Sequence, residues 1–140
     1  MARPTSFRLP EQLLDRLEEE GRSSGTSVTA LVASLLDEGL KTRQFAGIVY
    51  RDGPAGRRAG LVGGPDIWEI VRDLGKAPGR GMRRIEHLAA ETGIPASRLQ
   101  LAAEFYAAFP EEIDRLIETD VQAAQRARRS IDERERLLSR

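Results

Sequence analysis

The sequence predicts a mainly α-helical fold with short β elements, and three observations support this. A strand-like opening over residues 3–10 runs directly into two amphipathic helical segments. A turn-rich stretch over residues 52–56 lies between two short β-type runs, residues 48–50 and 59–62. Apolar residues then recur with helical spacing almost to the C-terminus. We divide the chain into three parts, which are residues 1–44, 45–109 and 110–140.

The composition favours a soluble, cytoplasmic protein. The 140 residues include 22 basic and 22 acidic ones, so the net charge gives no general indication of a nucleic-acid partner. Cysteine is absent, which excludes disulfides and thiolate metal sites. The first residues contain no apolar run that could serve as a signal peptide, and no stretch approaches the roughly 18–20 apolar residues that a membrane span requires. We therefore expect no interaction with a membrane.

The opening residues 3–10 alternate between the two faces of a strand. Ser6 and Arg8 would lie on one face, whereas Phe7 and Leu9 would lie on the other. A lone short strand leaves its backbone hydrogen-bonding groups unpaired, and the nearby sequence offers no second strand. We therefore expect the same strand of a second copy to complete an antiparallel ribbon, which fits the major groove of DNA.

Two amphipathic helices are predicted next, over residues 11–22 and 28–42. Gly25 is expected to end the first helix and Ser27 to cap the second. Two short helices bury too little surface to fold alone, so we expect them to share one core with the second copy. The predicted dimer core consists of apolar residues from the strand and from both helices, namely Phe7, Leu9, Leu13, Leu17, Leu31 and Leu35.

This order of strand, helix, turn and helix over residues 3–43 resembles the ribbon-helix-helix DNA-binding proteins. The resemblance implies that the outward side chains of the ribbon, Ser6 and Arg8, contact DNA bases, while Pro4 departs from the pattern because it offers no donor. An arginine can bind guanine through two hydrogen bonds, and a serine makes a less selective contact. Because Pro4 offers no donor, we expect the early contact to move to Arg3, which would bind a phosphate. The backbone amides that open the second helix, near Ser27, Val28 and Thr29, would bind a phosphate as well.

The middle part, residues 45–109, is predicted to contain a β-hairpin followed by helices. Arg57 and Arg58 lie next to the turn, where we expect a solvated hairpin tip, and contact with a phosphate or an acidic partner is the alternative. A helix that begins at Pro65 carries the only tryptophan, which we expect in the core, and a mobile glycine-rich segment should follow it. Two further helices then meet at Gly93 with helix-turn-helix spacing. This tract resembles the small winged-helix-like domain of antitoxins from bacterial toxin–antitoxin pairs.

The last part, residues 110–140, is predicted to be a long helix that begins at Pro110. Its final third is mostly charged, and two interpretations remain open. The helix could be solvated and fray at its end, or it could be an arm that becomes ordered on a partner protein. In the second case an apolar stripe would enter a groove of the partner, and the stripe consists of Ile117, Val121, Ala124 and Ile131.

We predict no catalytic site, no metal site and no cofactor. The single histidine, His87, has no second histidine or cysteine with which to complete a metal set. Serines are present, but none has a histidine or lysine at a spacing that suggests a nucleophile and its base. We therefore expect a protein that is not an enzyme.

Together with the two resemblances, these patterns favour an antitoxin that is also an autoregulatory transcriptional repressor. An obligate homodimer would bind a palindromic operator on double-stranded DNA, because a two-fold dimer requires a two-fold site. The C-terminal half would neutralise a cognate toxin, which the resemblance implies to be a PIN-like ribonuclease. Two alternatives remain open. One is a stand-alone ribbon-helix-helix regulator without a toxin, and the other is a dimeric adaptor that does not bind DNA.

Overall fold

The computed structural model describes residues 1–140, which form two compact units, Met1–Gln44 and Phe45–Arg140. The fold is mainly helical, with one two-stranded antiparallel sheet and a long C-terminal helix. At this level the predicted fold class is confirmed. No helix combines the length and the apolar character that crossing a membrane would require.

The first unit contains two helices, α1 (Glu11–Ser24) and α2 (Val28–Gln44), as the sequence predicts. Gly25 ends α1 in the left-handed conformation with φ of 67°, which glycine adopts without a steric penalty. The Ser27 hydroxyl accepts a hydrogen bond from the Ala30 amide at 3.2 Å and so caps α2. Local signals at the turn therefore define both helix boundaries.

The predicted N-terminal strand does not form in the single chain. Residues 1–10 are neither helical nor part of a sheet, and both strands of the structure come after α2. A strand requires a neighbouring backbone to which it can hydrogen bond, and the first unit contains no other extended segment. An N-terminal ribbon is therefore wrong as a description of the single chain.

The second unit begins with the predicted hairpin, whose strands are β1 (Ile48–Gly53) and β2 (Gly56–Leu61). The strands are antiparallel and pair Ile48 with Leu61 at the open end and Gly53 with Gly56 at the turn. Gly56 has φ of 103°, a conformation that strongly favours glycine. The predicted hairpin is confirmed. The ends of β1 and β2 differ by at most three residues from those of the predicted runs, 48–50 and 59–62.

Four helices pack against this hairpin around one apolar core. They are α3 (Ile67–Lys76), α4 (Met82–Thr92), α5 (Ala96–Ala108) and α6 (Pro110–Leu138). The corner between α4 and α5 is at Gly93, whose φ is 76°. The core consists of ten buried residues, which are Ile48, Ala59, Leu61, Ile67, Ile70, Leu88, Leu99, Ala102, Phe105 and Ile113.

An aromatic cluster closes one side of this core. The Phe105 ring is fully buried and meets the Phe45 ring edge-on, with centroids 5.4 Å apart. Phe109 lies against both rings, at 5.9 Å from Phe45 and 5.1 Å from Phe105. Trp68, which we predicted in the core, is only half-buried, and the Arg72 guanidinium lies 5.1 Å from its ring centroid.

The glycine-rich segment between α3 and α4, which we expected to be mobile, is anchored by one arginine. Arg84 of α4 donates hydrogen bonds to the Leu74 carbonyl at 3.2 Å and to the Gly79 carbonyl at 2.9 Å. The Ala77 side chain between these contacts is buried. A side chain from the next helix thus binds the carbonyl groups at the end of α3.

Candidate nucleic-acid interface

The candidate interface begins with the first ten residues, all of which are exposed. Arg22 pairs with Glu19 in α1 and Lys41 with Asp37 in α2, whereas neither Arg3 nor Arg8 takes part in an ion pair. Ser6 is likewise exposed and has no intramolecular hydrogen bond through its hydroxyl. Both guanidinium groups and the hydroxyl are therefore available to an external ligand.

The start of α2 provides two backbone donors. The first hydrogen bond of this helix joins the Leu31 amide to the Ser27 carbonyl at 2.9 Å, and the Ser27 hydroxyl binds the Ala30 amide. The amides of Val28 and Thr29 lie fewer than four residues after the Ser27 carbonyl, the first acceptor of the helix, so they have no partner within it. Such amides at the positive end of the helix dipole suit a phosphate oxygen.

The predicted dimer core is largely unburied in the single chain. Leu17 is the only one of its six residues that is buried, and α2 has no buried residue at all. The exposed fractions of Phe7 and Leu35 are 76% and 47%. Leu31 is half-buried, and Leu9 and Leu13 are exposed. Two helices that leave this much aliphatic surface in water do not account for a stable unit by themselves.

Four of these side chains, together with Val32 and Leu36, line a shallow groove of about 190 Å³ in the first unit. No polar residue lines it. The side chains of such a groove leave water only when another apolar surface covers them. We call this surface the aliphatic face, and its residues are Leu9, Leu13, Leu17, Val32, Leu35 and Leu36.

The structure places the predicted partner-binding stripe on α6, where only its first member touches the core. Ile117 is half-buried against the core of the second unit. From residue 118 to the C-terminus every residue is exposed, although the helix continues to Leu138. Val121, Ala124 and Ile131 are therefore presented to solvent on an extended helix, which we call the arm (residues 118–140).

Sequence reasoning missed a cluster of charged residues in the second unit. Arg51 and Arg58 lie directly opposite each other in the hairpin, and both reach the buried Asp66 at the start of α3. The Arg58 Nε donates to Asp66 Oδ2, and the Arg51 Nη2 lies 3.4 Å from Oδ1. Trp68 Nε1 also donates to Oδ2, at 3.2 Å. The expectation that Arg58 lies at a solvated hairpin tip is therefore wrong.

This cluster stabilises the hairpin rather than presenting a free charge. Arg51 Nη2 donates to the carbonyls of Gly64 at 2.9 Å and Leu61 at 3.3 Å, and so holds the loop after β2. The Asp66 amide donates to the Glu69 carboxylate at 3.1 Å at the start of α3. Like charges on directly opposite strand residues, here Arg51 and Arg58, destabilise a hairpin. The Asp66 carboxylate lies between the two guanidinium groups and compensates for their repulsion.

Gly60 makes room for the Arg51 guanidinium, and Gly60→Ala should therefore destabilise the second unit. A Cβ at this position would overlap the guanidinium, which would have to give up its carbonyl partners. We expect a loss of about 1–3 kcal/mol in the free energy of unfolding, measured in urea. The matched control is Gly75→Ala, because Gly75 has open space and no positive φ. If Gly60→Ala were as stable as this control, the Arg51 guanidinium would not depend on the space that Gly60 leaves.

His87 lies beside Glu91 on the surface of α4. Its Nε2 lies 3.6 Å from Glu91 Oε2, one turn further along α4, and both side chains are exposed. The two residues line an open cleft of about 380 Å³ together with Lys76 and Asp73. No group of three or more His, Asp or Glu side chains is arranged to hold a metal ion.

The first unit thus has exposed basic and hydroxyl side chains beside an uncovered aliphatic face. Comparisons of the chain with protein-family models, with curated proteins and with solved structures found no match. The function is therefore inferred from the residues of this chain and their geometry.

Proposed function

We propose that the protein is an antitoxin and an autoregulatory transcriptional repressor. In this proposal a homodimer binds palindromic operator DNA through an N-terminal ribbon, and the C-terminal half neutralises a cognate toxin. The observation that carries the proposal is the aliphatic face, which lies uncovered next to an exposed segment that contains Ser6 and Arg8. Both functions place the protein in the cytoplasm.

The aliphatic face supports a homodimer. In a two-fold pair, each copy covers the exposed Leu13 and Leu35 of the other, so one shared core replaces two incomplete ones. The same pairing brings together two copies of residues 3–10, whose backbone groups lack partners in the single chain. An antiparallel ribbon satisfies those groups and buries Phe7 and Leu9 beneath it.

The polar side of the ribbon supports DNA binding. When Phe7 and Leu9 face the shared core, Ser6 and Arg8 face outward, because side chains alternate along a strand. A two-stranded ribbon enters the major groove, where Arg8 can bind a guanine edge and Ser6 a less specific partner. Arg3 and the free amides that open α2 then bind phosphates on either side of the groove.

The arm supports the second half of the proposal. It presents Val121, Ala124 and Ile131 along an exposed helix of the second unit, and an exposed amphipathic helix is a common ligand for an apolar groove. The resemblance to antitoxins implies a PIN-like ribonuclease as the toxin. Ile117 extends the same stripe onto the body of the unit.

Titration of the upstream region of the gene tests the repressor. The native chain should bind this DNA more tightly than random duplex, and its affinity should fall steeply between about 50 and 200 mM salt as counterions are released. Affinity for the upstream region equal to that for random duplex would contradict specific repression and would favour the adaptor.

Co-expression tests the antitoxin. If a neighbouring gene encodes a toxin, its product alone should arrest growth, and co-expression of this chain should restore growth. A regulator without a toxin partner binds operator DNA but leaves the arrest unchanged. This result would retain the repressor and remove the antitoxin from the proposal.

A further inference from the structure

The segment between α3 and α4 carries the largest acid-free run of positive charge in the chain. Residues 74–85 contain Lys76, Arg80, Arg83 and Arg84 and no acidic residue, whereas no other acid-free stretch contains more than three basic residues. Because the net charge of the chain is zero, this concentration of charge is local.

Two of these four charges have partners or acidic neighbours within the second unit. Arg84 binds two carbonyl groups of the segment, and Lys76 lines the open cleft beside α4 together with two acidic side chains. Arg80 and Arg83 are exposed, and their side chains take part in no ion pair and no hydrogen bond. These two guanidinium groups are therefore available to an external ligand.

A closed turn holds the two arginines near each other. The Arg83 amide donates to the Arg80 carbonyl at 3.2 Å, and such a turn keeps the Cα atoms of its end residues within about 7 Å. Of the acidic residues that flank the segment, Asp73 pairs with Arg72 at 3.0 Å, and Glu86 forms no ion pair with either arginine. Two cations this close suit a closely spaced row of anions, and one DNA strand carries a phosphate about every 3.4 Å of helix axis.

Positive charge is disfavoured at this place in the fold. Because α4 begins at Met82, Arg83 and Arg84 lie in its first turn, which contains no acidic residue and no side-chain cap. The positive end of the helix dipole repels cations and attracts anions. Arg84 offsets this repulsion through its carbonyl partners, but Arg83 has none. A side chain that opposes a local preference without an intramolecular partner indicates an external anion.

The surroundings of the two arginines favour a phosphate backbone over a protein surface. Protein interfaces contain an apolar core, whereas Met82 is the only exposed large apolar residue of the segment. Two polar side chains early in α5 are engaged within the unit, since Arg98 donates to the Val62 carbonyl and Gln100 Nε2 lies 3.3 Å from Met82 Sδ. The segment therefore offers charge rather than base-reading groups, as phosphate recognition requires.

We infer that Arg80 and Arg83 of the second unit bind the phosphate backbone of DNA without reading its sequence. The inference rests on the proposed function, which supplies DNA as the partner and the dimer as the species that binds it. The two units are continuous in the chain at residues 44 and 45, so a duplex held by the ribbon has a raised effective concentration at the second unit. Sequence recognition stays with the first unit, and the second unit adds affinity for any duplex.

Titration of the double variant Arg80→Gln with Arg83→Gln tests the inference. Affinity for the upstream region and for random duplex should fall by the same factor, about tenfold or more at roughly 50 mM salt, and by much less at 200 mM. The slope of log affinity against log salt should decrease by roughly 3 to 4, because two copies each lose two phosphate contacts at about 0.9 per contact. The ratio of the two affinities should stay unchanged.

Arg115→Gln with Arg134→Gln is the matched control. Both arginines are exposed on α6 and adjoin acidic residues in the sequence, so this variant removes the same charge from the second unit outside the segment. Its affinities and its salt slope should remain close to those of the native chain. Equal losses in the two double variants would show that net charge alone acts, and would overturn the inference.

Three further measurements separate the inference from the proposed function. Sedimentation and helical content should show that the Arg80→Gln with Arg83→Gln variant remains a folded dimer, and each single variant should give about half of the change in slope. If the double variant binds both duplexes as the native chain does, the inference is overturned and the proposed function stands, because Arg8→Ala tests that function separately. If the native chain does not prefer the upstream region but the double variant still loses affinity for random duplex, the repressor fails and phosphate binding by the second unit stands. A native chain without affinity for any duplex overturns both.

Discussion

Leu35→Asp should convert the protein from a dimer into a monomer. Leu35 lines the aliphatic face and is 47% exposed in the single chain, so a carboxylate there is tolerated by the monomer. In the proposed dimer the same position lies in the shared core. Each copy then loses about 1.5–3 kcal/mol of apolar burial, and the two-fold pair loses about twice that. Sedimentation equilibrium at micromolar concentrations should show a monomer that still has the native helical content.

Ala33→Asp is the matched control for this variant. Ala33 is exposed on α2, two residues before Leu35, and therefore lies on nearly the opposite side of the helix. It adds the same charge to the same helix without entering the aliphatic face. This variant should remain dimeric. A Leu35→Asp chain that sediments like the control would contradict the assignment of the aliphatic face to the dimer.

Arg8→Ala should abolish preference for the operator without affecting the dimer. A two-pronged contact to guanine contributes about 1–3 kcal/mol to discrimination between bases, and the two-fold ribbon makes the contact twice. The affinity for the upstream region should therefore fall by about 30-fold or more at fixed salt, at 1.4 kcal/mol for each factor of ten. Affinity for random duplex should fall far less, since it depends mainly on the number of phosphate contacts.

Arg22→Ala provides a control of equal charge. Arg22 is exposed in the last turn of α1, where it pairs with Glu19 at 2.6 Å, and a hydrogen bond to Glu19 raises its pKa. Its removal changes the net charge of the chain as Arg8→Ala does. We expect little change in the ratio of operator affinity to random-duplex affinity. If both variants lose operator affinity equally, Arg8 contributes only its charge.

Local signals in the sequence were sufficient to predict most of the helices. Gly25 and Gly93 end helices because each adopts a positive φ, and Pro110 begins one because its missing amide is not needed there. Ser27 caps α2 through a hydroxyl three residues from its donor. All four signals act within a few residues of the chain, so a sequence pattern can identify them.

The N-terminal strand illustrates what local patterns leave undetermined. Alternation over residues 3–10 predicts which side chains share a face, but it does not supply the backbone that completes a sheet. In the single chain these residues have no partner and form no strand. The proposed ribbon requires a strand from a second molecule, whereas α1 and α2 form within one chain.

The Arg51–Arg58–Asp66 cluster was missed for a related reason. Its residues meet only when the hairpin register sets Arg51 opposite Arg58 and the following loop returns Asp66 to the sheet. A signal was present, because the two arginines are equidistant from the turn and an acidic residue precedes the next helix. Sequence reasoning treated Arg58 as a surface charge because it considered the tip of the hairpin without its register.

Amide hydrogen exchange of residues 3–10 tests the central claim most directly. At concentrations where sedimentation shows a dimer, alternate amides of this segment should be protected, because in an antiparallel ribbon every second residue donates to the partner strand. Protection should disappear in the Leu35→Asp monomer. If these amides exchange at the rate of an unfolded chain in the native dimer, the dimer has no ribbon, and DNA recognition by Ser6 and Arg8 is contradicted.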